Sequence, residues 1–198
     1  MAKRVFLIHG WGESPEEGWF PWLKKELEKK GFKVFVPPMP DAEHPKMETW
    51  VPYLSKSVGK VDENTYFVGH SIGCQTILRY LETLPKNVKI GGAVFIAGFI
   101  RLNLDVIEKE EPGSSKIAMP WIKTLINWAK VKAHLNKSIA IFSDNDPYVS
   151  EAINIKAFKS ELGAEIIVEH DKGHFSGDNG INELPVALDS VLKILKPK

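Results

Sequence analysis

Thr65-Tyr66-Phe67-Val68-Gly69-His70-Ser71-Ile72-Gly73-Cys74 opens as an apolar run and closes as Gly-x-Ser-x-Gly, and Gln75-Thr76-Ile77-Leu78-Arg79-Tyr80-Leu81 follows with a helical pattern. Together they describe a strand that turns sharply into a helix, with Ser71 at the bend. Such a turn strains the serine backbone and lifts its hydroxyl clear of the sheet. A side chain at position 69 or 73 would collide with the neighbouring strand or helix, which accounts for glycine at both. The first N–H groups of the helix lack intrahelical partners and point back at the bend. The same pattern also arises by chance in ordinary turns; the strand before Ser71 and the helix after it favour the functional reading.

The chain on either side repeats the alternation of strand and helix. Lys3 to Ile8 reads as a buried strand running into His9-Gly10-Trp11-Gly12. Ser14-Pro15-Glu16-Glu17 reads as a capping box with proline at the first helical position, opening a helix with the stripe Phe20, Leu23 and Leu27 and a stop at Gly31. Lys33 to Val36 is a second strand, halted by Pro37-Pro38. Met47, Trp50, Val51, Leu54 and Val58 form the next helical stripe, with Thr49 as its cap and Pro52 in its first turn. Ile90 to Phe99, Ser138 to Ser143 and Ala164 to Glu169 supply further strands. Ser150 caps a helix closed by Gly163, and a last helix begins near Pro185.

Six strands alternating with helices imply an α/β fold: a mainly parallel six-stranded sheet with helices on both faces, in a single domain spanning residues 1–198. Residues 100–136 interrupt the alternation. Glu108 to Ser115 is polar and reads as flexible, and Pro120 opens a helical stretch with Trp121, Ile122, Leu125 and Trp128. This segment is either a cap or insertion over the site or a crossover helix with a long loop.

Composition narrows the functions open to this chain. The 198 residues suffice for a substantial core, and 43% apolar with 26% charged residues is ordinary globular usage. A net charge of +1 offers no bulk attraction to nucleic acid or to an anionic membrane. The one cysteine, Cys74, excludes an internal disulfide and a cysteine-based metal site. No P-loop occurs, and Gly10-Trp11-Gly12 lacks the third spaced glycine of a dinucleotide fingerprint, so no cofactor or metal is expected. Val5 to Ile8 is too short for a signal-peptide core or a membrane span, which makes the cytoplasm the default location.

Parallel sheets bind ligands at the carboxyl ends of their strands. The polar residues just past those ends are His9, Ser71, Asp144, Asp146, His170 and His174. A serine hydroxyl needs an adjacent base, and a carboxylate fixes the tautomer of an imidazole base. Ser71, Asp146 and His174 are the candidate catalytic residues. Asp144 reads as bonded within its turn, and His170 stays as an alternative base closer to the core. His70, inside the bend, reads as packing or loop support. Acyl transfer builds charge on the former carbonyl oxygen, and the backbone N–H groups of Trp11 and Ile72 are the candidate oxyanion donors. Trp11, Trp121 and Phe175 are candidates for an apolar acyl pocket, each equally readable as plain core.

With these motifs in place, the sequence resembles the small α/β-hydrolases grouped with retinoblastoma-binding protein nine and the bacterial YdeN-like proteins. The resemblance runs through Gly18-Trp19-Phe20-Pro21-Trp22-Leu23, Met39-Pro40, Gly69-His70-Ser71-Ile72-Gly73, Asn127-Trp128, Ser143-Asp144-Asn145-Asp146-Pro147-Tyr148-Val149 and Gly173-His174-Phe175. It implies a compact hydrolase lacking the first antiparallel strands of larger members, with Ser71, Asp146 and His174 as its triad. The mammalian member carries Leu-x-Cys-x-Glu just before the elbow strand. Here the region reads Val58-Gly59-Lys60-Val61-Asp62-Glu63, without cysteine, so a retinoblastoma-type partner is not expected. The reading favoured is a serine hydrolase of small esters or amides acting through an acyl-enzyme; a binding module on a hydrolase scaffold and an acyltransferase are the alternatives.

Overall fold

Thr65–His70 forms β3, and every residue in it is buried, as an uninterrupted apolar run covered on both faces requires. It pairs with β1 (Arg4–Ile8) on one side and β4 (Gly92–Ile96) on the other. With β2 (Lys33–Phe35), β5 (Ser138–Ser143) and β6 (Glu165–Glu169), these strands make one sheet in the order β2-β1-β3-β4-β5-β6. Every pairing is parallel. The computed structural model describes residues 3–195.

Helices cover both faces. On one side α1 (Phe20–Lys29) packs with α8 (Pro185–Leu195). On the other, α2 (Met47–Val58), α3 (Ile72–Thr83) and α6 (Trp128–His134) pack in succession. Two further helices, α4 (Leu104–Glu110) and α5 (Ser114–Lys123), pack on each other, and α7 (Glu151–Ala157) runs on through a π-turn to Gly163. Among the described residues no helix is long and apolar enough to cross a membrane.

The chain leaves β1 outward to β2 and then crosses back to β3. That reversal makes the gap between β1 and β3 the switch point where a parallel sheet opens a crevice. Ile8 sits beside Gly69, and Gly69 beside Phe95, so the three central strands end level.

Several element boundaries differ from the sequence reading. The Ser14 N–H does bond Glu17 Oε2 at 2.8 Å, but Gly18 at φ 53° turns the chain and α1 begins only at Phe20. Thr49 lies inside α2 and donates to the Lys46 carbonyl, while Lys46 is the N-cap. Pro52 stands beyond the first turn of α2, where it forgoes the bond its N–H would give. Pro120 lies inside α5 rather than opening it. The start of α5 is held instead by the Glu108 carboxylate, which accepts from the Gly113 and Ser115 N–H groups. The polar stretch 108–115 is therefore ordered. Strand β4 is shorter than its apolar run because Ala97, at φ 48°, breaks the extended backbone.

The close approach of α3 to β1 has a measurable requirement. A Cβ at Gly73 would lie 2.3 Å from the Ile8 carbonyl oxygen and 2.7 Å from that of His9. Both are backbone atoms of a central strand and its exit, so nothing flexible can yield. Gly73→Ala is expected to destabilise the fold by roughly 1–3 kcal/mol, read as a lower midpoint in urea unfolding.

Candidate active site

Ser71 lies between β3 and α3 with φ 50° and ψ −118°. That is a strained conformation for a residue with a side chain, costing about 1–3 kcal/mol. Two bonds hold it: the Ser71 N–H donates to the Ile96 carbonyl at 2.9 Å, and the Ser71 carbonyl accepts from the Cys74 N–H at 3.0 Å. Ile72 is the first residue of α3, so helix geometry leaves its N–H without an intrahelical partner. Cys74 is buried and bonds the Gly69 carbonyl; burial pushes its thiol far up, and it stays protonated.

His174 meets Ser71 from the loop after β6. Its Nε2 is 2.9 Å from Ser71 Oγ, and its Nδ1 is 2.8 Å from Asp146 Oδ2. A carboxylate only accepts, so Nδ1 carries the hydrogen and Nε2 is free to accept from the serine hydroxyl. The Asp146 side chain is 2% exposed, and its other oxygen accepts from the Tyr148 and Val149 N–H groups. The Tyr148 ring stands edge-on to His174 at 5.0 Å. Burial and a hydrogen bond to Glu110 push the Tyr148 phenol up to about 12.

The His174 loop is fixed by asparagines. Asn179 Oδ1 accepts from the His174 N–H at 2.9 Å. Asn145 Oδ1 accepts from the Gly173 N–H at 2.7 Å, and Ser143 Oγ accepts from the Lys172 N–H at 3.0 Å. The β5 and β6 loops are thereby joined before any side chain of the Ser71–His174–Asp146 row is counted. Asp144 and His170 pair with each other instead, and Asp144 also accepts the Asp171 N–H. His170 is 85% exposed at its side chain, so the structure places it in solvent and not near the core.

The β1 loop completes the ring of groups. His9 is buried and neutral: burial lowers its pKa, Nε2 accepts the Met39 N–H, and Nδ1 donates to the Gly10 carbonyl. Gly10, Trp11 and Gly12 then border a cavity of about 690 Å³ that also exposes Ser71, Ile72 and His174. Phe99, Leu102, Ile107, Ala118 and Tyr148 give it apolar surface. Segment 100–136 thus divides: α4 and α5 wall the cavity, while α6 packs on α3 as a crossover helix.

Two pocket expectations do not hold. Trp121 and Phe175 lie outside the cavity lining, 1% and 0% exposed. The Trp121 indole N–H bonds the Pro45 carbonyl at 3.0 Å and its ring packs edge-on against Trp50. The Phe175 carbonyl accepts from the Trp19 indole. Both are core behind the site; Trp11 alone of the three reaches the cavity.

The serine hydrolase family model matches residues 5–193. The chain belongs to the serine hydrolase family. It is 33% identical over 191 residues to YdeN of Bacillus subtilis (strain 168), covering 96% of this chain and 94% of that relative. It is 27% identical over 168 residues to serine hydrolase RBBP9 of Rattus norvegicus, covering 84% and 83%. The crystal structure of the ydeN gene product superposes with a TM-score of 0.88 at 29% identity over 98% of both chains. A carboxylesterase structure from Nitrososphaera gargenis shares the fold, with a TM-score of 0.71 at 16% identity over 98% of this chain and 90% of that one.

Within this family member, the burial of Trp121 is open to test. Trp121→Phe leaves the Pro45 carbonyl unpaired and is expected to cost about 1–3 kcal/mol in urea unfolding. The kcat/KM of hydrolysis should stay unchanged; a change in kcat/KM without loss of stability would return Trp121 to the pocket.

Proposed function

We propose that this serine hydrolase cleaves small uncharged carboxylic esters through an acyl-enzyme, with Ser71 as nucleophile, His174 as general base and acid, and Asp146 as its orienting carboxylate. The observation that carries the reading is the continuous row Ser71 Oγ–His174 Nε2 and His174 Nδ1–Asp146 Oδ2, at 2.9 and 2.8 Å, on the floor of the cavity. As Ser71 Oγ attacks the carbonyl carbon, its proton passes to His174 Nε2, and Asp146 stabilises the imidazolium. The former carbonyl oxygen gains a full negative charge, and the N–H groups of Trp11 and Ile72, two residues that border the cavity, are the donors assigned to it in this reading. His174 returns the proton to the departing alkoxide. Water, activated by the same imidazole, releases the acid and restores Ser71.

A fluorophosphonate probe tests this reading. The wild type should be labelled at Ser71, and Ser71→Ala should not be; an unlabelled wild type, or equal labelling of the variant, would overturn it. Asp146→Asn should keep the fold and lower kcat by about 10⁴-fold, because the wrong tautomer of His174 then faces Ser71.

The cavity lining supports a restriction on charge. Glu13, Glu17, Glu43, Glu110, Glu111 and Asp178 border it, and among the described residues no lysine or arginine does. Carboxylates around a low-dielectric cleft repel anions. Among p-nitrophenyl esters of equal size, one ending in a carboxylate should show a kcat/KM at least about tenfold below its neutral counterpart, with the gap narrowing as salt rises. Equal rates at low salt would remove the restriction.

A further inference from the structure

His70 precedes Ser71, and its side chain is 1% exposed. Its Nε2 lies 2.6 Å from the main-chain carbonyl oxygen of His174. Its Nδ1 lies 2.8 Å from Glu13 Oε2. A carbonyl oxygen only accepts, so Nε2 carries a hydrogen. Glu13 Oε2 also accepts the Gly10 N–H at 2.6 Å, and with Glu13 held below the ordinary glutamate range it is a carboxylate near neutral pH, so Nδ1 carries a hydrogen too. A ring with both hydrogens is an imidazolium.

The surroundings suit a buried ion pair. The rings of Trp19 and Phe20 stand edge-on to His70 at 6.0 and 6.4 Å, and the Glu13 side chain is 17% exposed. The titratable groups around it are Glu13, Asp146, His9 and the His174 ring, whose centroid is 5.0 Å away. Burial opposes the charge on His70, but Glu13, the His174 carbonyl and Asp146 together outweigh it, and the histidine is raised above its ordinary value. Burial likewise pushes Glu13 up, yet His70 and the Gly10 N–H hold it below the ordinary glutamate range. A Cβ at Gly10 would lie 2.7 Å from Glu13 Oε2 and 3.0 Å from His70 Nδ1, so the pair closes directly over that glycine.

We propose that Glu13 and His70 are a positioning pair, which ties the main chain of the base loop at His174 to the main chain of the oxyanion loop at Gly10 through one buried ring beside Ser71. Both residues border the cavity, but neither bonds Ser71 Oγ or the ring nitrogens of His174. The pair acts by keeping His174 and the Trp11 N–H in register around the serine, and it rests on the serine-esterase reading above.

The test uses Glu13→Gln, which preserves shape and an acceptor for the Gly10 N–H but removes the charge that keeps His70 doubly protonated. With a neutral ester, kcat should fall roughly 10- to 100-fold while KM moves by less than about twofold, as expected when reacting groups are misplaced but binding is kept. The alkaline limb of the kcat–pH profile should move to lower pH, since His70 now loses its proton earlier. Stability responds to either a structural or a positioning role, because the raised pKa of His70 makes its contribution fade as pH rises in both. A second measurement needs no variant to be active: in wild type labelled with ¹⁵N-histidine, the His70 ring, assigned by its absence in His70→Asn, should show two protonated nitrogens at about pH 8, above the ordinary histidine value of about 6.5. A singly protonated ring, or Glu13→Gln with wild-type kcat and an unmoved alkaline limb, overturns the positioning pair and leaves the esterase reading intact. A wild type that neither labels with fluorophosphonate nor turns over esters removes both.

Discussion

A helix can rest against the end of a neighbouring strand at carbonyl distance only where it has no side chain, and Gly73 against Ile8 and His9 is that contact here. It brings the first turn of α3 beside the exit of β1. The N–H of Ile72 and the Gly10–Gly12 backbone then border one cavity. Gly69 makes the matching concession on the strand side, where a Cβ would lie 2.8 Å from the Cys74 nitrogen. The strained backbone of Ser71 follows from being caught between two such contacts, and the packing on either side of it meets the cost.

Polar ties then carry the arrangement across the sheet. Asn145 and Asn179 fix the His174 loop by its main chain, and Asn154, fully buried, accepts from the Ile100 and Arg101 N–H groups and so holds the exit of β4. Arg79 does the same for the end of α5, donating to the Trp121, Thr124 and Leu125 carbonyls. Loops that border the cavity are secured here by side chains bonding to backbone, which fixes position more strictly than apolar packing alone.

The strands, their order along the chain and the row of Ser71, Asp146 and His174 were legible because each follows from a local pattern plus one rule about strand ends. Helix starts were less so. Ser14-Pro15-Glu16-Glu17 makes the bond of a cap, yet Gly18 redirects the chain afterwards, and a local signal cannot weigh that turn against it. Pro120 resembles an opening residue, but the actual cap is the Glu108 carboxylate from the preceding helix. Trp121 and Phe175 are apolar in any setting, and only the path of α5 and of the His174 loop decides that they face inward. Glu13 left no trace in the sequence: its partner stands 57 positions away, and a glutamate in a loop reads as solvated until the fold closes over it.

The cavity wall made by α4 and α5 has an evolutionary consequence. Neither Ser71, His174 nor Asp146 comes from that segment, and its polar tie to the acid loop runs through Tyr148, by the Glu110 carboxylate and the Asn103 N–H. The segment can therefore change its share of the cavity wall without moving the Ser71–His174–Asp146 row. Mutational drift in residues 102–118 can reshape that wall while the loops holding Ser71, His174 and Asp146 stay as they are.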